Sequence, residues 1–131
     1  MAHYVDYEQA KWLKIIGFNE ECKYYYDFIG DICSSNNETN WNISNETLYS
    51  RPEQHQVVNW LLEKHGIHIK DDFEREYSFE KDKVISTKYR CYVNKFVESI
   101  SGYDFKFKTN LFDSPKEAYS AAFNILNNNL I

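Results

Sequence analysis

The segment from Ser50 to Lys70 constrains the fold most, because it carries signals for a helix start, a helix end and a following strand. Ser50 and Glu53 have the spacing of a capping box, and Pro52 suits the first helical turn. Apolar residues then recur at three- and four-residue steps, which predicts a helix with one apolar face. That face carries Val57, Val58, Leu61, Leu62 and His65.

Gly66 predicts the end of this helix, since the residue after a helix often takes a positive φ that glycine adopts without strain. Ile67 and Ile69 then alternate with polar residues, as in a strand with one covered face. The sequence therefore predicts that the helix passes directly into a strand.

Two other segments show helix signals. Ser114 and Glu117 form a second capping box, followed by a face of Ala118, Ala121, Ala122, Ile125, Leu126 and Asn129. Near the N-terminus, Asp6 with Gln9 predicts a helix start and Gly17 predicts its end, with Trp12, Leu13 and Ile16 on the apolar face. We expect three helices.

Alternation with a period of two predicts strands over residues 22–29, 88–98 and 103–108, the last two joined by a turn at Ser101 and Gly102. The polar stretch of about 34–49 predicts a surface loop or a short edge hairpin centred on Trp41. Together these elements predict a single α+β domain spanning residues 1–131. It would hold an antiparallel sheet of about three to four strands, with three helices packed mainly on one face.

Cysteine usage and hydropathy suggest a compartment. The three cysteines are odd in number and lack metal-knuckle spacing, which favours a reducing environment. No apolar run approaches the roughly 18 residues of a membrane span, and the N-terminus carries acidic residues in place of a hydrophobic signal. We expect a soluble cytosolic protein with no membrane partner.

Charge argues against nucleic acid as a partner, because 15 basic and 20 acidic residues give a net charge of −5. A local basic face remains an alternative, formed by Lys83, Lys88, Arg90, Lys106 and Lys108. Residues 71–83 mix acidic and basic side chains, which is typical of a solvated strand or loop. Phosphate-binding and nucleophile-elbow motifs are missing from the sequence, so no cofactor is expected.

The residues best suited to chemistry are His65, His68 and Asp71, with Asp72 beside them, since imidazole and carboxylate groups can bind a divalent metal or transfer protons. They define the alternative function, a small metal-assisted or acid/base enzyme or a ligand-sequestering protein. The simpler interpretation is that His65 ends the helix and His68 faces solvent, which leaves no catalytic or metal residue.

Aromatic residues make up 18% of the chain, with 11 Tyr, 9 Phe and 3 Trp. Tyr and Trp are enriched at protein interfaces because they combine apolar area with a polar group. A helical wheel places Trp60 away from the apolar face of its helix, and Tyr25 lies opposite its aromatic neighbours. Tyr25, Trp41 and Trp60 are therefore the predicted interface residues.

Three segments, EQAKWLKIIGFNEECKYYY, VVNWLLEKHGIHI and FDSPKEAYSAAFNILNN, occur in an order and spacing that give the chain a family resemblance. The chain resembles small uncharacterised proteins encoded by tailed phages and mobile elements of gut Bacteroidota, over most of its length. The resemblance implies a phage or phage-derived product made in the bacterial cytoplasm, and it carries over no catalytic residue. We expect a non-enzymatic accessory protein that binds another protein or forms homo-oligomers, in host takeover, defence inhibition or as a minor virion component.

Overall fold

The computed structural model describes residues 2–97 and 102–129. In this part of the chain the helices are α1 (Tyr7–Ile15), α2 (Trp41–Ser44), α3 (Gln54–His65) and α4 (Pro115–Asn129). The strands are β1 (Cys22–Tyr26), β2 (Ile32–Thr39), β3 (Tyr49–Ser50), β4 (Ile67–Ser78), β5 (Lys83–Val97) and β6 (Gly102–Lys108). They form two antiparallel sheets with strand orders β2-β1-β3 and β4-β5-β6.

The α+β class is confirmed, but the prediction of one sheet and three helices is wrong. The stretch 34–49, predicted as a surface loop or a short edge hairpin, contributes most of β2, all of α2 and the start of β3. β2 pairs with β1 through its backbone, so its polar side chains can remain in solvent and give no apolar alternation. Backbone pairing therefore builds a sheet from a segment without a strand pattern.

The described residues fall into two compact units, residues 2–57 with 126–129 and residues 58–125. In the first unit, α1 begins with a complete capping box, as predicted. Asp6 Oδ1 accepts the Gln9 backbone N–H at 2.8 Å, and Gln9 Oε1 accepts the Asp6 N–H at 3.0 Å. The buried apolar residues of this unit include Val5, Ala10, Trp12, Leu13, Phe18, Cys22 and Tyr26.

The second unit contains the predicted meander. β4 pairs with β5 from Ile67 opposite Lys95 to Ser78 opposite Lys83, and β6 pairs with the later half of β5. One end of this sheet is buried, through Ile67, Ile69, Cys91 and Val93, as are Ala118, Ala122 and Phe123 of α4. Of the predicted turn, Ser101 lies outside the described residues.

Of three further signals predicted for helix ends, two are confirmed and one is wrong. Gly66 has a φ of 65°, and Ser114 Oγ accepts the Glu117 N–H at 3.3 Å, as expected. Ser50, however, lies in β3 opposite Tyr25, and α3 begins only at Gln54. The predicted capping box at Ser50 is therefore wrong, because Ser50 belongs to the sheet with β1 and lies four residues before the helix begins.

Candidate functional site

The structure does not bring together the residues of the predicted enzymatic alternative. His68 and Asp71 lie three positions apart on β4 and so on opposite faces of the strand. His65 ends α3 with its ring edge-on to Trp60, at a centroid distance of 4.9 Å. Asp71 instead accepts a hydrogen bond from the Tyr119 hydroxyl at 2.8 Å, and burial together with this bond raises the pKa of Tyr119.

Metal-ligand clusters are also missing from residues 2–97 and 102–129, where no group of three or more His, Cys, Asp or Glu side chains could hold an ion. Burial raises the pKa of the Cys22 and Cys91 thiols to about 12, so both remain protonated near neutral pH. A protonated buried thiol is a poor nucleophile and a poor metal ligand. These side chains give no reaction centre.

Two of the predicted interface residues, Tyr25 and Trp41, lie against each other. Their rings stack at a centroid distance of 4.1 Å, and Trp41 Nε1 donates to the Cys22 carbonyl at 2.8 Å. Both side chains are half-buried. This packing fastens α2 to β1, and an interface role for the remaining exposed area stays a prediction.

The predicted exposure of Trp60 is wrong, because this side chain is only 2% exposed. It lies one position before Leu61 on α3, and both residues are buried. The apolar face of α3 is thus wider than the stripe inferred from the sequence, whereas Leu62, predicted to lie on that stripe, is largely exposed. A partner has no access to Trp60 in this fold.

A cleft of about 460 Å³ in the first unit is organised around Arg51. The guanidinium carbon lies 4.2 Å from the ring centroid of Tyr4 and 5.6 Å from that of Tyr26, and Arg51 Nε donates to the Tyr26 hydroxyl at 3.2 Å. Glu21, Glu38 and Glu53 contribute negative charge to the same cleft, and Lys23 and His55 contribute basic groups. The mixed lining favours no single ligand charge.

The second unit carries a set of exposed apolar side chains on one pair of strands and the turn between them. Beyond the pair Asp71 and Cys91, β4 and β5 continue over residues 72–90, here called the hairpin arm, as a ribbon of two strands apart from a single bridge between Tyr89 and Phe112. β6 pairs with β5 only from Tyr92 onward. The exposed large apolar side chains of the arm are Phe73, Tyr77, Phe79, Val84 and Ile85.

The two faces of the hairpin arm differ in chemistry. On one face, Asp72 lies opposite Arg90 and Glu74 lies opposite Lys88, so opposite charges alternate across the strands. The other face continues the buried face of Ile69 and Val93. It carries Phe73, whose side chain is 49% exposed and lies beneath the guanidinium of Arg75 at 4.7 Å. The apolar face thus extends beyond the part that the fold itself covers.

The tip of the hairpin arm is fixed by local contacts. Phe79 is 90% exposed, and its ring contacts the edge of the Tyr77 ring at a centroid distance of 5.2 Å. Tyr77 donates a hydrogen bond to Asp82, which raises the pKa of Tyr77. Asp82 has a φ of 48°, a left-handed conformation that Asp tolerates better than most residues do.

The basic residues of the alternative nucleic-acid face do not form a continuous positive surface where the structure describes their side chains. Arg90 lies opposite Asp72, and Lys88 forms a salt bridge with Asp113 that raises the lysine pKa. The side chain of Lys106 lies outside the described part. Carboxylates interrupt the basic side chains, which weakens attraction to phosphate.

The sequence contained a signal for the hairpin arm that the charge count concealed. Phe73, Arg75 and Tyr77 alternate with acidic residues, a period-two pattern that continues from Ile67 and Ile69. The density of charge between residues 71 and 83 led instead to the interpretation of a solvated strand or loop. The strand is correct, and its exposed aromatic residues were missed.

Comparison with known proteins adds no assignment, because no protein-family model, curated protein sequence or solved structure matches this chain. Among the described residues, no helix has both the length and the apolar character needed to cross a membrane.

Proposed function

We propose that this protein acts without catalysis, by binding protein through the hairpin arm. The observation that carries the proposal is the row of exposed apolar side chains on an otherwise charged two-stranded ribbon. A contiguous exposed apolar surface rimmed by polar residues is typical of protein–protein contact sites. The fold gains no stability from leaving Phe73 and Phe79 in water, which favours a role in recognition.

The geometry also supports a mode of binding. Backbone donors and acceptors on an uncovered sheet edge can pair with an extended segment of a partner, while alternate side chains supply specificity. Phe73 and Tyr77 lie beside that edge four positions apart on β4, and so on the same face of the strand. The origin implied by the phage resemblance makes host takeover, defence inhibition and virion assembly the settings to test.

The test compares two equally simple substitutions, Phe79→Ser on the arm and Phe28→Ser in the first unit, whose side chain is 69% exposed. Immobilised wild-type protein and both variants are exposed to lysate of the producing cell, and bound proteins are quantified by mass spectrometry. Light scattering on each purified protein measures self-association. We expect Phe79→Ser alone to reduce a specific capture or self-association. Equal binding by all three proteins would contradict the proposal.

A further inference from the structure

The hydrogen bonds of β5 show which backbone groups of β4 point away from β5. Tyr89 exchanges two backbone hydrogen bonds with Phe112, at 2.8 and 2.7 Å, so its N–H and C=O point away from β4. Phe73 lies directly opposite Tyr89. In an antiparallel pair whose members do not bond each other, both sets of backbone groups point outward. The N–H and C=O of Phe73 therefore face the outer edge of β4.

Within the described residues, no strand pairs with that outer edge. The Phe73 N–H is instead held by the exposed carboxylate of its neighbour, since Asp72 Oδ1 accepts it at 2.8 Å. A side-chain partner of this kind can be exchanged for a strand carbonyl without loss of a hydrogen bond. The middle of the edge is thus satisfied locally and remains available for pairing.

The regular, exposed part of the edge is symmetrical about Phe73. It begins at Lys70, after the buried Ile69, and ends at Glu76, where a register shift interrupts the pairing with β5. Phe73 is the midpoint of this seven-residue stretch, and among positions 71–75 it is the only uncharged residue. Any other central residue in that range would face its own like charge across a two-fold axis.

We propose that the partner of this edge is a second copy of the chain, whose β4 pairs antiparallel to β4 with Phe73 on the two-fold axis. The inference rests on the proposed protein-binding role of the hairpin arm. In this register Asp71 faces Arg75 of the second copy, and Lys70 faces Glu76, each contact occurring twice by symmetry. The two Phe73 rings meet on the apolar face, where cross-strand aromatic pairs are stabilising.

The same register sets Asp72 against Glu74, the one unfavourable pair. Asp72 already has a basic residue opposite it on β5, Arg90, whereas Lys88 opposite Glu74 forms its salt bridge with Asp113. The charge of Asp72 is thereby partly offset before the copies meet. Antiparallel pairing would join the β4-β5-β6 sheets of the two copies into one sheet. Its strand order would be β6-β5-β4 of one copy, continued by β4-β5-β6 of the other.

Complementary charge reversal tests the register directly. Lys70→Glu and Glu76→Lys each place like charges at both copies of one contact, so each should weaken self-association by roughly tenfold or more, measured by analytical ultracentrifugation. An equimolar mixture of the two variants restores opposite charges at both contacts and should regain the wild-type affinity. Circular dichroism and thermal melting of each variant establish that it is folded.

A cysteine at the axis gives an independent test in a Cys33→Ser background. Phe73→Cys places two thiols directly opposite each other, and mild oxidation should link the chains. Arg75→Cys is the matched control, because its two copies would lie about 13 Å apart along the strands, beyond disulfide reach. Equal crosslinking of both variants would contradict the register.

The outcomes separate this inference from the proposed function. A wild-type monomer at high concentration overturns the two-fold pairing, and so does an oligomer insensitive to both charge reversals. If such a monomer nevertheless captures a protein that Phe79→Ser loses, the protein-binding role stands and only self-pairing fails. If the mixture regains association, and Phe73→Cys crosslinks whereas Arg75→Cys does not, both the two-fold pairing and the protein-binding role are supported.

Discussion

β1 and β4 use similar residues in opposite ways. β1 is the central strand of its sheet, and each of its tyrosines contacts another aromatic ring: Tyr24 contacts Tyr4, Tyr25 contacts Trp41 and Tyr26 contacts Tyr7. β4 is an edge strand whose aromatic residues Phe73 and Tyr77 remain substantially exposed. Aromatic content by itself therefore does not locate an interface. Whether another segment packs on that part of the strand decides whether its rings serve the core or face outward, since Ile69 on the same edge strand is buried.

The largest expected difference between the strands is in stability. Tyr26→Ala should lower the free energy of unfolding by about 3–5 kcal/mol, since it empties a buried ring site. It also removes the hydroxyl that donates to the Val5 carbonyl at 2.7 Å. Urea denaturation measures the change. Tyr77→Ala on the arm is the matched control, and we expect it to change stability by less than about 1 kcal/mol. Similar losses of unfolding free energy for Tyr26→Ala and Tyr77→Ala would contradict the contrast between β1 and β4.

The two arginines that lie over aromatic rings provide the next test. Arg51 contacts three tyrosine rings and donates to the Tyr26 hydroxyl, so Arg51→Met should cost about 1–2 kcal/mol of unfolding free energy. Arg75 lies over the exposed Phe73 ring, and Arg75→Met should cost about 0.5 kcal/mol or less. Thermal or urea denaturation compares them. A larger loss at Arg75 would indicate that the arm is more tightly packed than its exposure implies.

The reactivity of the three cysteines tests where the exposed hairpin arm meets the buried part of its sheet. Cys22 in β1 and Cys91 in β5, at the base of the hairpin arm, are buried, which raises the pKa of each thiol from 9.0 to about 12. At pH 8 we expect Cys33 alone to react rapidly with a thiol reagent, and all three cysteines to react after denaturation. Fast labelling of Cys91 in the native protein would show that the hairpin opens down to its base.

The same thiols predict a pH dependence. In the unfolded chain they ionise near pH 9, whereas in the folded protein they remain protonated until about pH 12. A group whose pKa is raised in the folded state stabilises the folded protein at pH values below its unfolded pKa. The contribution of these thiols to the free energy of unfolding is therefore fully present below pH 9 and is lost progressively between pH 9 and 12. Denaturation at several pH values checks the trend, with Cys22→Ala and Cys91→Ala expected to flatten it.

The smallest expected effect is on the stability of the arm itself. Phe79→Ser should change the free energy of unfolding by about 0.5 kcal/mol or less, because the ring is almost fully exposed. Differential scanning calorimetry should therefore give nearly the same melting temperature for Phe79→Ser and wild type, even where binding is lost. A clear drop in melting temperature would indicate that the tip supports the fold, and a binding defect would then need another explanation.

Local signals in the sequence predicted much of the fold. Asp6 with Gln9, Ser114 with Glu117 and Gly66 mark helix ends through hydrogen bonds and backbone preferences within a few residues of each other. Ser50 failed as a cap although its spacing was equally good. Its backbone lies opposite Tyr25, a residue 25 positions earlier, and no local pattern reports such a partner.

The candidate site was predictable only in part, for the same reason. Alternation after Gly66 correctly placed His68 on a strand, but the prediction left Asp71 in a strand or loop, and only the length of β4 puts the two on opposite faces. The burial of Trp60 and the stacking of Trp41 on Tyr25 depend on segments that meet only in the folded chain. The exposure of Phe73 depends on which segments pack on this part of β4, since Ile69 on the same strand is buried.

Capping, glycine conformation and periodicity act over a few residues, so local patterns suffice to predict the α+β class, the principal helices and the apolar alternation of β4. Contacts between distant segments decide the sheet β2-β1-β3, the course of residues 34–49 and the exposure of each aromatic ring. These features depend on pairing between distant segments through backbone groups that every residue carries. Side-chain patterns therefore specify which segments form elements, and the packed fold specifies which surfaces remain for a partner.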